Sequence, residues 1–316
     1  MKIPLLRNNV VSLFLTLLVS SSILSCGLLE ARNEEPRQIF FQGLNRSYLL
    51  YTPPSYNPKK PMPVVLGFHG GTTTAQKFSQ TTKFNQLAAQ EGFIVVYPLG
   101  IDKYWNDGRD VAGLPKQDDV AFVSAVIDDI KKIRNIDSRR IYATGISNGG
   151  FFTQRLACEL SDKIAAFASV SSTLAQPMST RCNPRNPVSI LLINSPDDKF
   201  VPWQGGRGTR GLGGYILSVP DTVKFWQQRN SCSSQPDVQS NIQSVDKNQK
   251  NDGTSIQISR YTQCRSGSEV ILTTIYGGGH AWPNGLGQPQ WLVGRTSQKI
   301  DGSSYVWNFF KRHALP

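Results

Sequence analysis

Short runs of unbroken apolar residues recur along this chain, as at Val64-Val65-Leu66, Ile94-Val95-Val96 and Ile190-Leu191-Leu192-Ile193. Between them lie longer stretches with apolar positions every three or four residues. The short runs, lacking polar alternation, read as strands buried on both faces, and the longer stretches as amphipathic helices. Strands are predicted at 37–52, 63–69, 92–98, 139–146, 164–171, 188–194 and 268–276, and helices at 80–90, 119–133, 149–160, 219–229 and 302–313. This alternation implies an α/β fold with a mostly parallel central sheet and helices on both faces. The polar stretch 231–255, rich in Ser, Gln, Asn and Asp, is predicted to be a loop excursion before the last strands.

One strand-to-helix junction carries chemistry. Gly145-Ile146-Ser147-Asn148-Gly149-Gly150 follows the run Arg140 to Thr144 and precedes the amphipathic run beginning Phe151-Phe152. Serine with glycine two residues away on each side, at such a junction, is the nucleophile elbow of the α/β-hydrolase fold. The turn is too tight for neighbouring Cβ atoms, and the following helix aims its N-terminal N–H groups where negative charge develops. Ser147 is therefore the candidate nucleophile, and it needs a base. Only His69, His280 and His313 are available. His313 reads as a solvated helix end. His69, in Phe68-His69-Gly70-Gly71-Thr72 directly after a predicted strand, fits the HGG loop beside the site, where backbone supplies an oxyanion donor and the histidine serves structure. His280 follows Gly277-Gly278-Gly279 at the end of a strand and is the candidate base. The acid belongs between serine and histidine in chain order, where Asp197 and Asp198 follow the strand 188–194; spacing does not separate them.

With these residues in hand, the chain resembles the secreted esterases of the polyhydroxybutyrate depolymerase and feruloyl esterase type. The resemblance is carried by His69-Gly70-Gly71-Thr72, Trp105-Asn106, Asp118-Asp119-Val120-Ala121-Phe122, the elbow, Asp198-Lys199-Phe200-Val201-Pro202-Trp203 and Gly279-His280-Ala281-Trp282-Pro283, in that order. It implies an α/β-hydrolase in which Ser147, His280 and Asp198 form the triad, Asp198 being the aspartate three residues before Val-Pro. Asn194-Ser195-Pro196 stands where the family often has His-Gly-Thr, and Gly71 where relatives often have cysteine. The expected reaction is acyl transfer through an acyl-enzyme, its oxyanion held by the N–H of Asn148 and one at Gly71 or Thr72. No metal or organic cofactor is expected. Asp118 and Asp119 read as helix-capping carboxylates rather than as an acid and base pair. Trp105, Trp203 and Trp282 are expected to line the substrate cleft. An acyltransferase on the same fold shares every one of these residues, and a catalytically silent binding protein is the third class; the intact set of nucleophile, acid and base disfavours the last.

The flanks bear on compartment. Lys2 and Arg7 precede an apolar stretch from Val10 to Leu24, too short for a comfortable membrane span, so residues 1–26 read as an export signal, 27–36 as a linker and 37–316 as the catalytic domain. Ile23-Leu24-Ser25-Cys26-Gly27 resembles an imperfect lipobox, so the protein is expected to be secreted, periplasmic or held in the envelope by a lipidated Cys26. Four cysteines remain, Cys158, Cys182, Cys232 and Cys264, which allow three connectivities. Resemblance and sequence proximity favour 158 with 182 and 232 with 264. Lys2 and Arg7 account for two of the formal charge of +12, leaving +10 on the exported part. Its basic residues are scattered, with no nucleic-acid motif, so an ester substrate and not nucleic acid is the expected partner.

Overall fold

The computed structural model describes residues 34–208, 213–240 and 251–316. The signal region, Cys26 and most of the predicted linker lie outside the described residues. In chain order the elements are β1 (Glu35–Phe41), β2 (Leu44–Tyr51), β3 (Met62–Phe68), α1 (Ala75–Thr82), α2 (Phe84–Glu91), β4 (Ile94–Pro98), α3 (Asp119–Ile133), β5 (Ile136–Ile146), α4 (Asn148–Glu159) and β6 (Ala166–Val170). They continue with α5 (Met178–Arg181), β7 (Ser189–Asn194), β8 (Gly206–Arg207), β9 (Tyr215–Ile216), α6 (Val219–Arg229), β10 (Asp237–Ser240), β11 (Ser255–Tyr261), β12 (Val270–Tyr276), α7 (Gln290–Val293) and α8 (Gly302–Phe310).

The main sheet runs β1-β2-β4-β3-β5-β6-β7-β12-β11-β10, with the strands from β4 to β12 in that order mutually parallel and an antiparallel hairpin at each edge. Its middle is buried on both sides because successive residues feed opposite layers. Val64, Leu66 and Phe68 join one apolar cluster with Phe122, Phe152 and Trp226, while Val65 joins the other with Val95, Ala168 and Phe310. Within α3 the pattern Val120, Phe122, Val123, Val126, Ile127, Ile130 is buried. Asp118 caps that helix, accepting from Ala121 N–H at 2.9 Å, with Lys131 and Lys132 in the last turn against the helix dipole. Asp119 is buried and pairs with Arg46 at 2.7 Å, so neither aspartate is left for acid and base work.

Several predicted elements differ. The strand predicted at 37–52 is a hairpin, turned at Gln42-Gly43 with φ of 47° and 80°. Positive φ at both turn residues matches the twist of the flanking strands. Its first residues, Glu35 and Pro36, fall in the predicted linker but pair with Leu50 and Leu49. The helix predicted at 80–90 is two, α1 and α2, joined by Lys83 at φ 57°. Lys83 N–H still donates to Ser79 O at 2.9 Å, so the break comes from its left-handed backbone, which closes α1 as a C-cap. The predicted loop 231–255 contains β10 and leads into β11; residues 241–250 lie outside the described set.

Both disulfides join the expected partners, Cys158 with Cys182 and Cys232 with Cys264. No described helix is long and apolar enough to cross a membrane.

Candidate active site

The candidate site stands at the carboxyl ends of β3, β5, β7 and β12, which form two neighbouring pairs, β3-β5 and β7-β12, on either side of β6. Ser147 joins β5 to α4 with φ 56° and ψ −125°, a backbone conformation costing a serine about 1–3 kcal/mol. The turn survives because its surroundings leave no alternative. A Cβ on Gly145 would stand 2.4 Å from Gly149 O, and one on Gly149 2.2 Å from Phe68 O, so bare backbone is required at both. Ser147 N–H donates to Val170 O at 3.0 Å, tying the elbow to β6.

His280 is nearly buried at 8% exposure, and its Nδ1 lies 2.8 Å from Asp198 Oδ2. A carboxylate oxygen only accepts, so Nδ1 carries the proton and Nε2 is left as the acceptor. Asp198 is itself fixed: its Oδ1 accepts from Phe200 N–H at 2.7 Å and Val201 N–H at 3.0 Å, and the Phe200 ring stacks on the imidazole at 4.7 Å. Asp197 is exposed and accepts instead from Gly277 N–H at 2.8 Å. Geometry thus separates two aspartates that spacing could not. Ser195, in the segment that departs from the family pattern, donates its hydroxyl to Gly278 O at 3.0 Å and so links the acid's loop to the base's loop.

Ser147 and His280 line one cleft of about 450 Å³, together with Gly71 and Asn148. No hydrogen bond joins Ser147 Oγ to His280 in this conformation; catalytic hydrogen bonds commonly tighten only once substrate is bound. Thr72 N–H is already used, donating to Lys103 O at 3.1 Å. The N–H groups of Gly71 and Asn148 have no partner among the described residues, which leaves Gly71 rather than Thr72 as the candidate loop donor. The Asn148 side chain holds the neighbouring 105–107 segment in place, accepting from Trp105 N–H at 2.8 Å and donating to Trp105 O at 3.1 Å and to Asp107 at 2.6 Å.

Residues 46–176 match the family model for esterase PHB depolymerase. The chain has the α/β-hydrolase fold and is similar to esterases of the polyhydroxybutyrate depolymerase and feruloyl esterase type. It is 28% identical over 281 residues to feruloyl esterase B of Piromyces equi, a match spanning 86% of this chain and 46% of that protein. It is also 28% identical over 240 residues to the bifunctional acetylxylan esterase/xylanase XynS20E of Neocallimastix patriciarum, covering 76% of this chain and 31% of that protein. The chain therefore spans under half the length of both relatives. The solved acetyl xylan esterase from Aspergillus awamori superposes with a TM-score of 0.58 at 14% identity, over 88% of this chain and 99% of that one, a likeness of fold.

This α/β-hydrolase does not use its tryptophans as expected. Trp105 is fully buried, stacked on Phe152 at 5.0 Å with its Nε1–H donating to His69 O at 3.0 Å. Trp282 is buried against Phe78 and donates to Ser303 Oγ at 3.2 Å. Trp203 is half-buried and is not among the cleft-lining residues. The large indole bodies of 105 and 282 fill the core behind the motif loops, a demand that outweighs their proximity to motif residues in sequence. The aromatic lining comes instead from Tyr104, Phe151 and Phe200, within or beside the same motifs, and from Phe78 on α1. His69 has the structural role expected of it. Gly100 N–H donates to its Nε2 at 3.1 Å, its Nδ1 meets Gly70 O at 2.8 Å, and burial lowers its pKa to about 4, so the ring is neutral. His313 lies beyond α8 and is not the solvated helix end expected: it pairs with Glu269 at 2.9 Å and its side chain is only 11% exposed.

One cation in the cleft escapes the sequence reading. Arg109 lines the wall, its guanidinium 4.6 Å from the Phe151 ring centre, and it is held by the buried Asp107 at 2.8 Å and by Gly213 O at 2.9 Å. Asp107 also receives the Asn148 amide, so one buried carboxylate ties this cation to the elbow. In sequence, Asp107 and Arg109 sit in an unpatterned stretch beside Trp105-Asn106, and only their proximity to that motif could have drawn attention to them.

Proposed function

We propose that this protein is an exported carboxylic ester hydrolase working through Ser147, His280 and Asp198. The observation that carries the reading is the 2.8 Å contact between His280 Nδ1 and Asp198, made at the wall of the cleft that Ser147 also lines. In the proposed reaction His280 Nε2 takes the Ser147 proton as Oγ attacks the ester carbonyl, and the N–H groups of Gly71 and Asn148 receive the oxyanion. Collapse expels the alcohol, protonated by His280, and water activated by the same imidazole releases the acid. The aromatic lining and the names of the relatives support a hydroxycinnamoyl or acetyl ester of a polysaccharide ahead of a hydroxyalkanoate oligomer. Export is supported by the N-terminal pattern and the two disulfides. The test is hydrolysis of a short p-nitrophenyl ester and labelling by a phosphonate ester. Both are expected in the wild type and absent in Ser147→Ala; turnover by that variant at the wild-type rate would remove Ser147 from the mechanism. A panel of methyl ferulate, acetylated xylan and 3-hydroxybutyrate oligomers ranks the acyl group.

A further inference from the structure

The loop that carries His280 is braced by the segment following it. His280 N–H donates to Val293 O at 2.6 Å and Gly279 N–H to Arg295 O at 2.8 Å. The two backbones touch so closely that a Cβ on Gly279 would stand 2.1 Å from Val293 O. This segment also forms a wall of the cleft, through Gly287, Gln288, Pro289, Leu292 and Val293. Between those lining residues, on α7, stands Trp291. At 85% it is the most exposed large hydrophobic side chain among the described residues. An indole left in water on the rim of a substrate cleft asks for a partner.

Resting on the esterase reading, the direction of the reaction says which half of the ester meets this wall. When the tetrahedral intermediate collapses, the bond between carbonyl carbon and alcohol oxygen breaks, and the proton held on His280 Nε2 passes to that oxygen. The alcohol half must therefore lie on the His280 side, and that side is built from residues 287–293. We propose that Trp291 is a sugar platform for the leaving group, the alcohol half being a polysaccharide whose pyranose ring lays its C–H face on the indole. The surroundings suit a sugar better than a polyester. The exposed apolar residues Leu286, Trp291 and Leu292 are interrupted by Gln288 and Gln290, and the Lys77 ammonium reaches the same rim, where a Cβ on Gly287 would stand 2.6 Å from Nζ. A ring stacked on Trp291 keeps its hydroxyls within reach of such groups and of water, whereas adsorption to a polyester surface needs a broad, continuous apolar face.

The test uses the full chain in two arms. In the Ser147→Ala background, titration with xylohexaose is expected to quench tryptophan fluorescence, and Trp291→Ala is expected to weaken binding, followed by calorimetry, roughly tenfold. In the active protein, Trp291→Ala should raise KM for acetylated xylan by a similar factor with kcat held, and leave p-nitrophenyl acetate hydrolysis within about twofold. Unchanged xylohexaose binding, no binding by the parent, or equal losses on both substrates would overturn the platform. So would Trp291-dependent adsorption to polyhydroxybutyrate film without sugar binding. Failure of the wild type to hydrolyse p-nitrophenyl acetate would count against the esterase reading instead, and the binding arm would still decide the role of Trp291.

Discussion

Replacing Asp198 with asparagine isolates the acid's role, because the structure dictates how the amide must sit. Asp198 Oδ1 accepts two backbone N–H groups, from Phe200 and Val201, at 2.7 and 3.0 Å. Only the oxygen of the introduced amide can take that position, so its NH₂ is turned toward His280 Nδ1, which lies 2.8 Å from the carboxylate oxygen being replaced. Two donors cannot share that contact. The imidazole is driven into the tautomer protonated at Nε2, which cannot accept the Ser147 proton. Loss of orientation and imidazolium stabilisation in a serine triad lowers kcat about 10⁴-fold, equivalent to about 5.4 kcal/mol of barrier. Asp197→Asn tests the neighbouring position, whose single exposed hydrogen bond to Gly277 an amide oxygen can also accept, so less than about a threefold change in kcat/KM is expected. The assay is steady-state hydrolysis of a short p-nitrophenyl ester, with thermal melting of each variant to show retained folding. More than a tenth of wild-type activity in Asp198→Asn, or a larger loss in Asp197→Asn, would refute the reasoning.

Other consequences follow from buried groups. Arg109→Gln leaves Asp107 buried without its cation and should cost about 3 kcal/mol, a fall in Tm of roughly 6–12 °C, while Asp107→Asn in the same chain should recover most of it; equal melting of single and double variants by calorimetry would refute the pairing. With sequence separations of 24 and 32, loss of the Cys158–Cys182 or Cys232–Cys264 bridge should lower unfolding stability by about 3.5 or about 3.7 kcal/mol, read as urea midpoints of paired Cys→Ser variants; midpoints equal to wild type would mean these loops are held by other contacts. Burial holds His69 at about 4 against 6.5 when unfolded, so the unfolded chain takes up the proton first. The contribution is complete above about pH 6.5 and is lost as pH falls toward 4, by up to about 3 kcal/mol; urea midpoints of wild type and the non-titrating His69→Asn across that range should converge, and parallel curves would exclude the linkage.

Much of this is legible in the chain itself. The unbroken apolar strands, the elbow and the Asp118 cap are local patterns, and local patterns survive folding. What escapes the sequence depends on tertiary packing or on competing local bonds. α1 ends at Lys83 in the left-handed region, a conformation that residue type does not announce, and β11 is a short alternation, Ile256 and Ile258 inward, masked by the polar residues before it. Trp105 and Trp282 lie next to motif residues, yet adjacency in sequence does not say which side of a loop an indole turns to, and the core claims them. Asp197 and Asp198 are indistinguishable by composition; only the two N–H groups gathered by Asp198 separate them.

The close of the chain lies at the opposite rim from the chemistry. Leu315 N–H is bonded to Arg139 O near the start of β5, whereas Ser147 follows the last residue of that strand, so about seven residues of extended backbone, roughly 23 Å, separate the two. An immobilised preparation coupled to a bead through residue 316 would thus turn its cleft outward, toward an insoluble polymer too large to diffuse, while coupling through Lys77 would press the same mouth against the support.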